Sequence, residues 1–166
     1  MWKRDKDDEV DDALAAIDQF RHGITHADTK AGFLAASISV LLGALAGQQG
    51  TLERHLPPGG VLDWLGVTLL GASGLATVLA AFVVARVLLP RIVTTTFSRY
   101  SWPSVAETEV DRLVRLRPGG RRREAWTTAK ALAEIARTKM VLLRLSLRLF
   151  LVGAALLLLA LALLAA

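Results

Sequence analysis

Arg123, Lys130, Arg137 and Arg144 recur at spacings of seven, with Arg148 on nearly the same helical side. Upstream, Asp11 and Asp18 are also seven apart. A seven-residue repeat returns to one face of a helix every two turns, so each set forms a stripe. A stripe of guanidinium and ammonium groups holds anions through charge-assisted hydrogen bonds. Three occupants stay open. The first is the acidic stripe itself, with Asp18 beside Arg137 and Asp11 beside Lys130 as ion pairs that set helix register. The second is a soluble anionic ligand, and the third is the headgroup layer of a membrane.

Asp28 is the sharper single residue. By 100° steps it shares a face with Gly32, Ala35, Ser39, Gly43 and Ala46, a small-residue face expected to pack against neighbouring helices. Its carboxylate is then expected to point inward at the edge of lipid, near the height of Arg144, Arg148 and Arg86. Unpaired charge at that depth is costly, so it needs a partner. A structural bridge to Arg144 or Arg148 and a switch whose pairing changes on activation both fit. Lys30 falls on another side, where its ammonium reaches lipid phosphates. His22 and His26 stand four apart with Asp18 four before, a spacing metals use. They lie opposite the expected packing seam with no further ligand, so no metal is expected there. No HExxH, GxSxG or phosphate-binding loop occurs, and nothing at lipid level pairs a nucleophile with a base. Neither catalysis nor a cofactor is expected.

These residues sit on elements set by hydropathy and charge. More than half of the 166 residues are hydrophobic, cysteine is absent, and the net charge is +5. Absent cysteine removes disulfides and thiol chemistry. Acids outnumber bases over residues 1–30, whereas bases outnumber acids over 89–139. Three runs qualify as membrane spans, at about 31–47, 61–85 and 148–166, with Trp64 as an interfacial anchor. The first is short, about 25 Å at 1.5 Å per residue. No cleavable leader pattern opens the chain, so this span is expected to be its own targeting signal. The bias of Lys and Arg puts the N-terminus and residues 86–147 in the cytoplasm.

The first and third spans are expected to continue into the cytoplasm as helices. Val10, Leu14, Ile17, Phe20 or Arg21, Ile24 and Ala27 or Asp28 follow steps of three and four, as do Trp126, Ala129, Ala133, Ala136, Met140, Leu143, Leu147 and Phe150. That spacing marks a packing seam between parallel helices. Gln48–Gly60, with Pro57 and Pro58, reads as an external turn. Ser104–Arg117 reads as a short surface helix capped by Ser104 with Glu107 three residues on. Gly43–Gly47 is a GxxxG, and Ala72, Ala76 and Ala80 form a small-residue ridge; both allow close approach within or between chains. The expected fold is an all-α integral membrane bundle forming one domain over 1–166. It has three long transmembrane helices with cytoplasmic extensions and one short cytoplasmic helix.

The string Ile24-Thr-His-Ala-Asp-Thr-Lys-Ala-Gly-Phe-Leu34 resembles the signature of the Pycsar effector transmembrane family. Its specific part is Ala27, Asp28, Thr29, Lys30 and Ala31. The stretch Ala131–Arg144, with an Ile and a Lys ahead of the last span, is similar to that family's second hallmark, and Pro90-Arg91 falls in order between them. Residues 92–117 depart most from the pattern. The resemblance implies an antiphage effector in the bacterial inner membrane. It would respond to cyclic CMP or cyclic UMP from a partner cyclase and compromise the membrane, an abortive-infection response. A homo-oligomer is expected, and no nucleic acid polymer is implied as partner. If the chain senses the messenger directly, Arg123, Lys130 and Arg137 are the cations for its phosphate, with Trp126 or Trp102 as stacking face. The alternative is a small membrane scaffold that docks a protein through its basic cytoplasmic segment.

Overall fold

A computed structural model describes residues 6–54, 59–89, 98, 100–110 and 118–165. The described residues are helical with no strand. The order is α1 (Lys6–Ala46), α2 (Gln49–Arg54), α3 (Val61–Leu88), α4 (Trp102–Ala106) and α5 (Pro118–Leu164). Three of these helices are long and apolar enough to cross a membrane. α1 has 41 residues and α5 has 47. Each therefore runs unbroken from charged sequence into apolar sequence, over about 60 and 70 Å at 1.5 Å per residue.

The ends of α3 follow from local chemistry. Gly60 precedes it in extended conformation, and the Asp63 carboxylate accepts the Gly59 N–H at 3.1 Å. An acid in the first turn that reaches back to the entering backbone acts as a cap. At the other end Leu89 turns extended, at φ −61° and ψ 130°. The residue before a proline is pushed out of helical conformation, so the helix stops ahead of Pro90.

Two connections depart from expectation. Within Gln48–Gly60 the chain forms the short helix α2, whose Leu52 packs on an apolar cluster, and that contact favours a helical turn over an irregular one. Pro57 and Pro58 lie outside the described residues. Of the expected helix Ser104–Arg117, the described residues show α4, which begins two residues earlier and ends at Ala106, with Val110 helical again. The Ser101 carbonyl accepts the Val105 N–H at 3.0 Å, and a proline is tolerated in a first turn. Ser104 is thus inside the helix and caps nothing; its carbonyl accepts the Thr108 hydroxyl at 2.6 Å. Residues 111–117 lie outside the described set.

The chain forms two compact units. Unit 1 comprises residues 1–27 and 90–139. Its core is Ala13 and Ile17 of α1 with Ala125 and Ala129 of α5, flanked by Ala16, Phe20, Tyr100 and Leu132. The helices thus meet through alanines, whose small side chains allow close backbone approach. Leu14 and Trp126, expected in the seam, are 37% and 45% exposed. Ile17 and Ala129 lie in the seam as expected, with Phe20 against it, whereas Leu14 and Trp126 yield to their neighbours Ala13 and Ala125, whose small side chains fit a close contact.

Unit 2 comprises residues 28–89 and 140–166. Ala31, Leu34 and Ile38 of α1 join Ala80, Val84 and Val87 of α3, with Leu142, Leu143, Leu149 and Phe150 of α5 packed against them. A second cluster holds Leu70, Leu157 and Ala160. α3 and α5 also exchange hydroxyl-to-backbone bonds: Ser73 donates to the Gly153 carbonyl at 2.7 Å, and Ser146 donates to the Ala80 carbonyl at 2.8 Å. Thr77 donates to its own helix at Ser73, 2.8 Å. The ridge on α3 is therefore Ser73, Ala76, Thr77 and Ala80, whereas Ala72 is exposed.

The face of α1 carrying Gly32, Ala35, Ser39, Gly43 and Ala46 was expected to be the packed one. Ala35 is half-buried against the core, whereas the other four are exposed, with open space around the Cβ positions of Gly32 and Gly43. Leu34 and Ile38 offer more dispersion contact than glycine and serine do, so α1 turns its branched side chains to the core. Among the described residues nothing packs on Gly43 of the GxxxG.

Candidate functional site

The motif around Asp28 lies on unbroken helix, and period 3.6 decides how its five residues divide. Ala27 and Ala31, four apart, are fully buried. Thr29 and Lys30 are exposed, and Asp28 is half-buried on the flank of the packed face. Asp28 and Thr29 are each engaged in a polar or electrostatic interaction. Within unit 2, Arg144 and Arg148 lie on exposed faces of α5. Arg86 is exposed on α3, its guanidinium 5.6 Å from the centroid of Phe82, one turn earlier on the same helix. A cation over a ring face is attracted by the ring quadrupole, which gives Arg86 a local resting place.

Lys139 is the charged residue that the spacing of the basic stripe did not single out. It is 5% exposed, at the last position of unit 1 on α5, and is engaged in a polar interaction. Lysine is almost never buried unless its ammonium is satisfied. The signal that could have found it was in the sequence: it is the last cation of the Glu134–Lys139 junction and falls off the 123–130–137–144 stripe, toward the seam.

In unit 1 the basic stripe stays on the outside. Arg123, Lys130 and Arg137 are exposed along α5, and Trp126, between the first two, keeps nearly half its surface open. Arg123, Trp126 and Lys130 occupy successive turns of one face, an arrangement with two cations flanking an aromatic ring. It can receive an anion and a flat apolar group together. The side chain of Trp102 lies outside the described set. Asp11 and Asp18 on α1 are exposed as well, and Asp18 meets His22 at 3.5 Å in an exposed contact.

The heights expected for internal ion pairs, Asp18 beside Arg137 and Asp11 beside Lys130, are not those of the packed helices. Ile17 packs with Ala125 and Ala129, so Asp18 stands level with Lys130 rather than Arg137, a slip of one heptad. A stripe that repeats every seven residues matches its partner almost equally well after such a slip. The outward positions of both stripes then leave the alanines to make the contact.

A polar network in unit 1 had no sequence signal. Ser98, 4% exposed, accepts the Tyr100 N–H at 3.2 Å and shares a 2.7 Å hydrogen bond with Thr128. Thr128 donates to the Glu124 carbonyl at 3.0 Å, so Ser98 is the donor to Thr128. Arg21 donates to the Tyr100 carbonyl at 3.3 Å. Ser98 and Tyr100 are thereby tied to both long helices.

Three apolar helices, two of them continued by charged helix, and an acid and a lysine part-way along them define a small multi-pass membrane protein with charged helical extensions. Residues 12–166 match the Pycsar effector protein domain, and the chain belongs to that family. It is thus a membrane effector of antiphage Pycsar defence. No curated protein and no solved structure matches the chain.

Proposed function

We propose that the chain is a non-enzymatic effector of the bacterial inner membrane, with its N-terminus cytoplasmic. A cyclic pyrimidine nucleotide, cyclic CMP or cyclic UMP made by a partner cyclase, activates it to impair membrane integrity. The observation that carries this reading is the exposed Arg123–Trp126–Lys130 face on α5. A cyclic phosphate needs cations and a pyrimidine needs a stacking surface, and one face supplies both. Arg137 adds a further cation on the same stripe.

Transmission runs along helices that do not break between charged and apolar sequence. A ligand shifts such a bundle only by binding its two states unequally. Asp28, half-buried at the first position of unit 2, is the switch carboxylate, with Arg144, Arg148 and Arg86 of the same unit as the guanidinium groups it exchanges with on activation. The test is calorimetry of the detergent-solubilised protein with cyclic CMP and cyclic UMP. Binding of one of them, weakened at least tenfold by Arg123→Ala with Lys130→Ala, is the expected result. No heat with either nucleotide removes direct sensing and leaves docking of a protein partner on the basic segment.

A further inference from the structure

The two charge stripes of unit 1 have the same period and opposite sign, and both lie on the outside. Asp11 and Asp18 on α1 rise by seven residues, about 10 Å, as do Arg123 and Lys130 on α5, and all four are exposed. Inside one chain the contact between these helices is made by Ala13, Ile17, Ala125 and Ala129. That contact also sets heights: Asp11 stands level with Arg123, and Asp18 with Lys130. We infer that in the membrane a second copy of this chain covers these stripes, with Asp11 and Asp18 of one copy against Arg123 and Lys130 of the next.

The membrane makes this pairing follow from the register within one chain. Copies inserted the same way stand parallel and at one height, so residues level within a copy are level between copies. Contact of α1 with a neighbour's α1 would set acid against acid, and α5 against α5 would set base against base. Only α1 against α5 satisfies both stripes, and it repeats from copy to copy. Exposed ion pairs are individually weak, but confinement in one plane raises the effective concentration. The open ring of Trp126 between the two cations adds aromatic surface of the kind that interfaces favour.

The interface does not depend on the nucleotide reading. If that reading also holds, the messenger's phosphate competes with the neighbour's aspartates for Arg123 and Lys130, so binding loosens the cytosolic contact. The experiment therefore omits the cyclase. The chain has no cysteine, so Asp18→Cys and Lys130→Cys versions with different tags can be co-expressed and oxidised in isolated membranes. A mixed disulfide dimer carrying both tags, several-fold above either like-with-like dimer, is expected. Adding Asp11→Arg to the first copy should cut it severalfold, and adding Arg123→Asp to the second should restore it. A mixed dimer no more abundant than the like-with-like dimers overturns the proposal, as does a yield insensitive to these reversals. As an insertion check, both copies must be recovered in the membrane fraction.

Discussion

The hydroxyl of Ser73 on α3 donates to the backbone carbonyl of Gly153 on α5 at 2.7 Å. Gly153 is what permits this: a Cβ there would lie 2.7 Å from the Thr77 hydroxyl and 3.3 Å from the Ser73 carbonyl. Seven residues earlier on α5, Ser146 returns the same kind of bond to Ala80. Each helix thus donates a hydroxyl to the other's backbone, and the pair is held at short distance from both sides.

Gly153→Ala therefore forces α3 and α5 apart. Overpacking of a tight contact costs about 1–3 kcal/mol, and the Ser73 bond is strained with it. Unfolding of the detergent-solubilised protein should occur at clearly lower temperature, whereas Ser73→Ala alone should cost about 0.6 kcal/mol, the average for polar contacts between membrane helices.

The contrast is Gly43 on α1, where an added Cβ meets nothing within 4 Å. Gly43→Ala should leave the folding of the chain unchanged or slightly raise it, by up to about 1 kcal/mol from helix propensity. The same thermal measurement checks it. A large loss would place another part of the molecule against this face.

Lys139→Ala removes a buried ammonium and leaves whatever it satisfies without its cation. Removing one partner of a buried polar interaction costs about 1–3 kcal/mol. The exposed Lys130→Ala on the same helix should stay within about 0.5 kcal/mol. Comparing the two by thermal unfolding in one detergent separates burial from charge.

Asp28→Ala and Arg144→Ala should insert and fold, since neither side chain fills the core. Expressed with the partner cyclase, both should fail to depolarise the membrane. Membrane-potential dye in intact cells reads this directly, and full toxicity from both variants would remove the switch assigned to Asp28.

In unit 1, Ala129→Leu should be worse than Leu14→Ala, an inversion of the usual large-to-small penalty. Ala129 is 1% exposed between the helices, whereas Leu14 is 37% exposed. Chemical denaturation of the two variants should rank them in that order, with about 1–3 kcal/mol lost by the first.

What the sequence alone determined are properties that add up along the chain. Three apolar runs set the number of spans, apolar spacing by threes and fours set the extensions of α1 and α5, and Pro90 set the end of α3. The string at Ala27–Ala31 and the junction before Met140 carried the family. Tertiary structure alone decided which side of each helix turned inward and at what height. Leu14 and Ala13, or Trp126 and Ala125, are adjacent on a helix, and a stripe of charges every seven residues fits its neighbour in more than one register. That choice depends on side-chain volumes across the contact, where alanines let two backbones approach and Leu34 and Ile38 fill space that Gly32 and Ser39 cannot. The buried state of Lys139 and the pairing of Ser73 with Gly153 follow from the same facing surfaces, which no single stretch of chain encodes.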